Sequence, residues 1–199
     1  MIARQLVLFV RLPRLGTGKR RLARDIGALG ALAFERRMIV LMVRRLGRDR
    51  RWRLRLAITP DRSCREARRF GRYAICGQGA GDLGDRMRRA LVTSPPGPVV
   101  LVGADIPALA AAHVAAAFRM LGSHDLVVGP SRDGGFWLVG ARRCPRLPPL
   151  FGPVRWSTRH ALADVLANLP PAVRVGFAAT LEDVDDGAAW QRLRPHRGF

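Results

Sequence analysis

An aspartate at position 105 follows a continuous apolar stretch, Val99 to Val102. Such a β-branched run is typical of a strand buried on both faces of a parallel sheet. Because Pro107 ends the strand, Asp105 is predicted at its carboxyl end, the edge at which open α/β sheets bind ligands. There, the carboxylate could hold Mg²⁺ and through it phosphates, or it could cap the helix predicted from Ala108.

A second acidic group lies near the end of the chain. Four of the five positions from 182 to 186 are acidic, in a chain with 15 acidic residues. Asp183 and Asp185 are two residues apart and would point to the same side of an extended segment. A carboxylate from this group could complete an oxygen-rich Mg²⁺ site with Asp105. Alternatively, Asp185 or Asp186 could cap the helix that follows.

A basic loop follows the first predicted strand. It contains Pro13, Gly16 and Gly18 and ends in Lys19, the only lysine among 35 basic residues. The backbone N–H groups of such a loop can face phosphates, and the compact ammonium of a lysine adds charge. The alternative interpretation is a solvated basic loop.

Two further glycine-containing segments have two interpretations each. Residues 77–81 contain three glycines and precede a helix for which Asp82 is the predicted N-cap. These glycines either bring the backbone close to a ligand or simply form a turn. The Asp133-Gly134-Gly135 sequence is a turn signal, but it could also direct the Asp133 carboxylate at a sugar hydroxyl or an acceptor.

Strands and helices alternate along the chain and must position these residues. Strands are predicted at 6–10, 53–58, 73–76, 99–102, 125–130, 136–140 and 173–177. Helices are predicted at 28–46, 62–70, 83–92, 108–121, 159–169 and from about 187 to 193, with Ser157 or Thr158 as the cap of the fifth helix. The alternation predicts a single α/β domain over residues 1–199, with a mostly parallel sheet and helices on both faces.

The composition excludes several classes of protein. The net charge is +20 over 199 residues, which favours capture of anionic ligands, but only 7% of residues are aromatic and no nucleic-acid recognition motif occurs. No apolar run has the roughly 20 residues of a membrane span. Cys64, Cys76 and Cys144 are too few and too widely spaced for a disulfide framework or a zinc cluster. We therefore expect a cytoplasmic protein with reduced cysteines.

Six motifs in order together resemble a known family. They are Pro13-x-x-Gly16-x-x-Lys19-x-Arg21-Leu22, Gln78-Gly79-x-Gly81-Asp82-Leu83-Gly84-x-Arg86-Met87, Gly103-Ala104-Asp105-Ile106-Pro107, Gly129-Pro130-x-x-Asp133-Gly134-Gly135-Phe136-Trp137-Leu138-x-Gly140, Trp156-Ser157-Thr158 and Asp183-Val184-Asp185. The pattern resembles the bacterial GT-A-like transferases found beside radical-SAM and selenium-domain proteins. Some members of that family are arsenosugar-biosynthesis glycosyltransferases.

The resemblance implies a single-domain GT-A fold and a Mg²⁺-dependent (or Mn²⁺-dependent) glycosyltransferase. Its donor would be a nucleotide sugar and its acceptor a small molecule. Asp105, Lys19 and Asp133 would be catalytic, and Asp105, Asp183 and Asp185 would hold the metal. The implied nucleotide-binding residues are Pro13, Gly16, Lys19, Arg21, Gln78, Gly79, Gly81, Asp82 and Arg86.

Two other functions fit the same residues. The wider superfamily includes guanylyl- and cytidylyl-type nucleotidyltransferases, which would use a nucleoside triphosphate and a phosphorylated acceptor. The large positive charge also fits a catalytically inactive protein that keeps the fold and binds nucleic acid. The sequence leaves both alternatives open, and also whether the protein forms a homodimer.

Overall fold

The computed structural model describes residues 3–143, 147 and 149–193, and its centre is a sheet of seven strands. The strand order across the sheet is β3-β2-β1-β4-β6-β5-β7, and β6 runs antiparallel to its neighbours while the other six strands share one direction. The strands are β1 (Gln5–Arg11), β2 (Arg53–Thr59), β3 (Ala74–Gly77), β4 (Val99–Gly103), β5 (Leu126–Pro130), β6 (Phe136–Ala141) and β7 (Val175–Phe177). The predicted α/β fold with a mostly parallel sheet is confirmed.

Helices cover both faces of this sheet. They are α1 (Arg20–Gly47), α2 (Cys64–Ala67), α3 (Leu83–Val92), α4 (Ala111–Met120), α5 (Ala161–Ala167) and α6 (Gly187–Leu193), and 3₁₀ turns at Asp61–Ser63 and Arg68–Phe70 flank α2. Residues of α1, α4 and α6 pack in one hydrophobic cluster, and residues of α3 and α5 in the other. In β4, Val100 and Val102 belong to the first cluster and Val99 and Leu101 to the second, which explains why its apolar run is unbroken.

The chain reverses its direction of travel across the sheet next to β1. After β1 it passes through α1 to β2 and then to β3, whereas α3 leads back to β4 on the other side of β1. The carboxyl ends of β1 and β4 therefore flank a switch point, where open α/β sheets form a ligand crevice. Asp105 lies two residues beyond β4, and the loop ending at Lys19 follows β1.

Several predicted boundaries and caps are wrong. Helix α1 begins at Arg20 rather than at 28, with a break at Gly27, whose φ of 78° is not helical. Helix α4 has Ala110 at its N-cap position, where its N–H donates to the ring of His113, so Asp105 does not cap this helix. Helix α5 begins at Ala161, and no side chain caps it. The Thr158 hydroxyl accepts from the N–H of His160, which precedes the first residue of the helix, so the predicted cap is wrong.

Two predictions from composition concern membrane spans and cysteines. In the described part of the chain, no helix is both long and apolar enough to span a lipid bilayer. The thiols of Cys64 and Cys76 are free, and Cys144 lies outside the described residues.

Candidate active site

Three carboxylates converge at the carboxyl edge of the sheet. Asp105, Asp183 and Asp185, here called the acidic cluster, each offer an oxygen within 4.8 Å of the others. The first follows β4, and the other two belong to the segment between β7 and α6, almost eighty residues later. The sequence predicts this set of residues, and the fold brings them together.

Lys19 is the cationic partner of the acidic cluster. Its Nζ donates to Asp105 Oδ2 and to Asp185 Oδ1, both at 2.5 Å. The lysine side chain is only 8% exposed, whereas those of Asp105 and Asp185 are 38% and 48% exposed. Burial by itself lowers the pKa of Lys19, but the charges and hydrogen bonds of the two carboxylates outweigh it and raise that pKa. The ammonium therefore stays charged at neutral pH.

Backbone hydrogen bonds hold the segment that carries Asp183 and Asp185. The Val184 N–H donates to the carbonyl of Asp105, and the Leu22 N–H in the first turn of α1 donates to the carbonyl of Asp185. The second bond also satisfies one of the free N–H groups at a helix start. Asp186 caps α6, since its Oδ1 accepts from the Ala189 N–H. The sequence left open which aspartate is the cap, and the structure assigns it to Asp186.

The acidic cluster holds like charges close together. Burial raises the pKa of Asp183 to about 7, and the nearby charges of Asp105 and Asp185 add to the rise, while Lys19 opposes it. One lysine does not neutralise three carboxylates. Carboxylate oxygens are the preferred ligands of hard divalent cations such as Mg²⁺ and Mn²⁺, so these residues fit such an ion.

The acidic cluster forms one side of a cavity of about 380 Å³, a volume typical of small-molecule sites. Of the sequence-predicted residues, the cavity brings together Lys19, Gln78, Arg86, Asp105, Asp133, Asp183 and Asp185. The predicted nucleotide-binding residues outside its lining are Pro13, Gly16, Arg21, Gly79, Gly81 and Asp82. Arg21 is exposed on the first turn of α1.

The glycine loop, residues 77–82, contributes Gln78 to the cavity lining. Gln78 is 2% exposed, and its Nε2 donates to the carbonyls of Val10 and Ala57 while its Oε1 accepts from Arg86. Asp82 caps α3 in a reciprocal arrangement with Asp85, as predicted. The polar groups of this loop are thus largely satisfied within the protein.

Asp133 makes the predicted turn interaction and also lines the cavity. Its Oδ1 accepts from the Gly135 N–H at 2.9 Å, which is the turn interaction of the β5–β6 hairpin. The turn needs a glycine at position 134, where φ is +86° and a Cβ would lie 2.2 Å from the carbonyl oxygen of Arg159. Asp133 also lines the cavity, and its charge contributes to the raised pKa of Asp183.

Sequence reasoning missed Glu35, which projects from α1 into the cavity. Burial raises the pKa of Glu35. The positive charge of Lys19 opposes this rise, and the negative charge of Asp105 adds to it. The loop approaches Glu35 closely because position 18 is glycine, where a Cβ would lie 2.2 Å from a Glu35 carboxylate oxygen. The signal was a lone acidic residue in the buried stripe of α1, in helical register with Ala31, Met38 and Met42.

The fold and cavity define the GT-A-like class of nucleotide-diphosphosugar transferase folds. Residues 42–158 match the family described as "Uncharacterized protein conserved in bacteria (DUF2064)", and the chain belongs to this family. A search of curated proteins gives no match.

Solved structures with this fold are transferases of several kinds. A protein from Desulfovibrio desulfuricans G20, provisionally described as a nucleotide-diphospho-sugar transferase, is 26% identical; the alignment covers 100% of this chain and 89% of that one, with a TM-score of 0.88. The 4-diphosphocytidyl-2C-methyl-D-erythritol synthase of Anaerococcus prevotii DSM 20548 is 8% identical, with coverages of 97% and 96% and a TM-score of 0.62. Glucosyl-3-phosphoglycerate synthase of Mycobacterium tuberculosis, solved with Mn²⁺, UDP-glucose and phosphoglyceric acid, is 13% identical, with coverages of 92% and 71% and a TM-score of 0.58.

Proposed function

We propose that this protein is a metal-dependent transferase that uses a nucleotide sugar as donor and a small molecule as acceptor. The observation that carries the proposal is the acidic cluster and its lysine, which converge in one cavity at the switch point of a GT-A-like sheet. The likeness to the D. desulfuricans protein and to a glycosyl-transferring enzyme solved with Mn²⁺ and UDP-glucose supports the same function.

The metal would be Mg²⁺ or Mn²⁺, held by Asp105, Asp183 and Asp185. Bound there, such an ion would neutralise the charge of a donor diphosphate and stabilise the leaving group. Lys19 would donate hydrogen bonds to the same phosphates, and Arg86, which lines the same cavity, would add a second cationic group. The contribution of these residues would be positioning and electrostatic stabilisation.

Asp133 and Glu35 are the remaining carboxylates of the cavity lining. Asp133 is held by the hairpin turn, and its carboxylate would accept a hydrogen bond from a hydroxyl of the sugar or of the acceptor. Glu35 lies in a more buried position, and burial raises its pKa, so it would hold a proton more readily than an exposed carboxyl group.

Nucleotidyl transfer is the second candidate. In glycosyl transfer the acceptor attacks the anomeric carbon and a nucleoside diphosphate leaves; in nucleotidyl transfer an acceptor phosphate attacks the α-phosphorus and pyrophosphate leaves. This candidate is supported by the fold that the chain shares with a synthase whose name indicates a diphosphocytidyl product. The resemblance of the sequence motifs favours glycosyl transfer, as in the GT-A-like transferases found beside radical-SAM and selenium-domain proteins.

A nucleic-acid-binding role is less well supported. The three carboxylates of the acidic cluster would repel a phosphate backbone at the mouth of the cavity unless a divalent cation intervened. We infer instead that residues 1–199 act as a single catalytic domain in the cytoplasm.

A thermal-shift screen of nucleoside triphosphates and nucleotide sugars, with and without Mg²⁺ or Mn²⁺, tests the proposal. A ligand at about 100 times its dissociation constant stabilises the native state by about 2.7 kcal/mol, which raises the melting temperature. We expect a metal-dependent rise for one donor class that is lost in Asp105→Ala. Asp49→Ala is the matched control, because Asp49 pairs with nearby Arg51 and is not among the described residues that line the cavity.

The outcomes separate the candidates. A nucleotide sugar that gives the largest shift supports glycosyl transfer, whereas a nucleoside triphosphate supports nucleotidyl transfer. If no nucleotide shifts the melting temperature with either metal, and the protein binds RNA or DNA in a salt-sensitive way, the transferase proposal is wrong.

A further inference from the structure

Lys19 and a divalent cation would use the same oxygen atoms. The Lys19 ammonium lies 2.5 Å from one oxygen of Asp105 and 2.5 Å from one oxygen of Asp185, and both residues belong to the acidic cluster. An ion coordinated by these carboxylates would therefore stand within a few ångströms of the ammonium. Two cations that close repel each other strongly in a partly buried site.

The contacts of Lys19 therefore act against a metal that arrives alone. Such an ion must break two charge-assisted hydrogen bonds and separate a largely buried ammonium from both carboxylates that it contacts. Both effects weaken metal binding relative to three carboxylates without a lysine. The acidic cluster, in turn, needs a cation, because its carboxylates lie within 4.8 Å of one another.

A phosphate in the cavity would remove the conflict. Lys19 lines the same cavity of about 380 Å³ as the acidic cluster, and its four-carbon side chain has several rotatable bonds. A diphosphate group coordinated to the metal would present oxygens within reach of the displaced ammonium. The ammonium would then exchange two carboxylate partners for phosphate partners.

We propose that Lys19 couples metal binding to phosphate binding: it competes with the metal for Asp105 and Asp185, and a diphosphate ligand relieves that competition by binding the displaced ammonium. The inference rests on the proposed function, since it assumes that the acidic cluster holds a metal. It predicts that metal and diphosphate bind cooperatively and that each raises the affinity for the other by the same factor. Metal alone would bind weakly, so the site would fill mainly with the metal–nucleotide complex.

The first experiment measures the affinity for Mn²⁺ alone, from the electron paramagnetic resonance signal of the free ion. Lys19→Met removes the ammonium and keeps an aliphatic side chain of similar length. We expect Lys19→Met to bind Mn²⁺ about tenfold more tightly than the unmodified protein, because the competing cation is gone. Arg24→Met is the matched control: it makes the same change in net charge at an exposed position of α1 and should change the affinity less than about twofold.

The second experiment uses the unmodified protein, so it does not depend on the folding of a variant. Because Lys19 is the only lysine, protein labelled with [¹⁵N]lysine gives a single side-chain ammonium signal in nuclear magnetic resonance spectra. We expect saturating Mg²⁺ alone to shift or broaden this signal, since the ammonium loses its carboxylate partners. Mg²⁺ together with inorganic pyrophosphate should move it to a third, sharp position.

The results distinguish failure of this inference from failure of the proposed function. If the unmodified protein binds Mn²⁺ but Lys19→Met binds it equally or less tightly, or if Mg²⁺ binds and the lysine signal stays in place, the coupling role is wrong and the metal site stands. If neither the unmodified protein nor the variant binds Mn²⁺, with or without pyrophosphate, both proposals are wrong.

Discussion

The glycine loop and the acidic cluster differ in how completely their polar groups are satisfied within the protein. In the glycine loop, Gln78 makes three hydrogen bonds in a nearly fully buried position, and Asp82 completes a capping box. In the acidic cluster, three carboxylates share one lysine, and the pKa of Asp183 rises to about 7 because of burial and its two acidic neighbours. The glycine loop contributes stability and shape, and the acidic cluster keeps unbalanced charge that a ligand can neutralise.

This contrast suggests how to separate structural from functional residues in the cavity. Side chains whose bonds are made within the protein should affect stability when they are replaced. Side chains held close to like charges should affect binding strongly, and their removal should leave stability unchanged or improve it. The following variants test this division, beginning with the largest expected effect.

The largest effect is expected for Asp105→Ala. It removes a carboxylate of the acidic cluster while keeping the backbone carbonyl that binds Val184. We expect transferase activity to fall about 100-fold or more, as for other groups that act electrostatically on a leaving group. Circular dichroism spectra should stay unchanged. Activity within a factor of two of the unmodified protein would show that the acidic cluster is not catalytic.

Gln78→Ala should act mainly on stability. It removes two donors and one acceptor from a buried position, which costs about 2 kcal/mol and lowers the melting temperature by about 5 °C. Calorimetry measures the change, and the exposed Gln191→Ala is the control. The affinity for Mn²⁺ should be unaffected, so a large loss of metal binding in Gln78→Ala would contradict the division between the glycine loop and the acidic cluster.

Two adjacent aspartates make a sharper comparison. Asp186→Ala removes the cap of α6 and should cost about 1 kcal/mol of stability with unchanged Mn²⁺ affinity. Asp185→Ala removes a carboxylate of the acidic cluster and should weaken Mn²⁺ binding about tenfold or more. Denaturant titration and Mn²⁺ titration of both variants distinguish the roles, and the reverse pattern would show that the two residues have been assigned to the wrong roles.

The smallest effect is expected for Glu35→Gln, which should raise the melting temperature by about 1–3 °C. Folding raises the pKa of Glu35, so the unmodified protein loses stability as the pH rises through that pKa. The stability advantage of the glutamine variant should therefore grow with rising pH. Melting curves at several pH values measure it. Glu66→Gln on the surface, where Glu66 pairs with Arg14 and Arg69, should not stabilise the protein.

The sequence predicts most of the fold because its strands have clear patterns. The β-branched run of β4 and the Asp82 cap of α3 are local signals, and both lie where predicted. The start of α1 could not be predicted in this way, because Gly27 interrupts the helical geometry and the first turn is stabilised by a bond from Leu22 to the distant Asp185.

The same distinction between local signals and long-range contacts applies to the candidate site. Residues adjacent to strand ends, such as Asp105, could be predicted because parallel strands end at one edge of a sheet. The partnership of Lys19 with Asp185 could not, because it joins residues 166 positions apart through loops whose course no local pattern specifies. Glu35 was missed because a helical stripe indicates burial, without saying whether the buried face meets core or cavity.

The break in α1 at Gly27 has a consequence for the synthesis of the chain. The residues before the break, among them Leu22 and Asp25, hydrogen-bond to Asp185 and Gly187, so the beginning of the first helix depends on a segment 162 positions further along the chain. The central strands β1, β2 and β4 are complete long before that segment leaves the ribosome. A nascent chain can therefore assemble these central strands early, while the acidic cluster and the docking of Lys19 form only when Asp183 and Asp185 arrive.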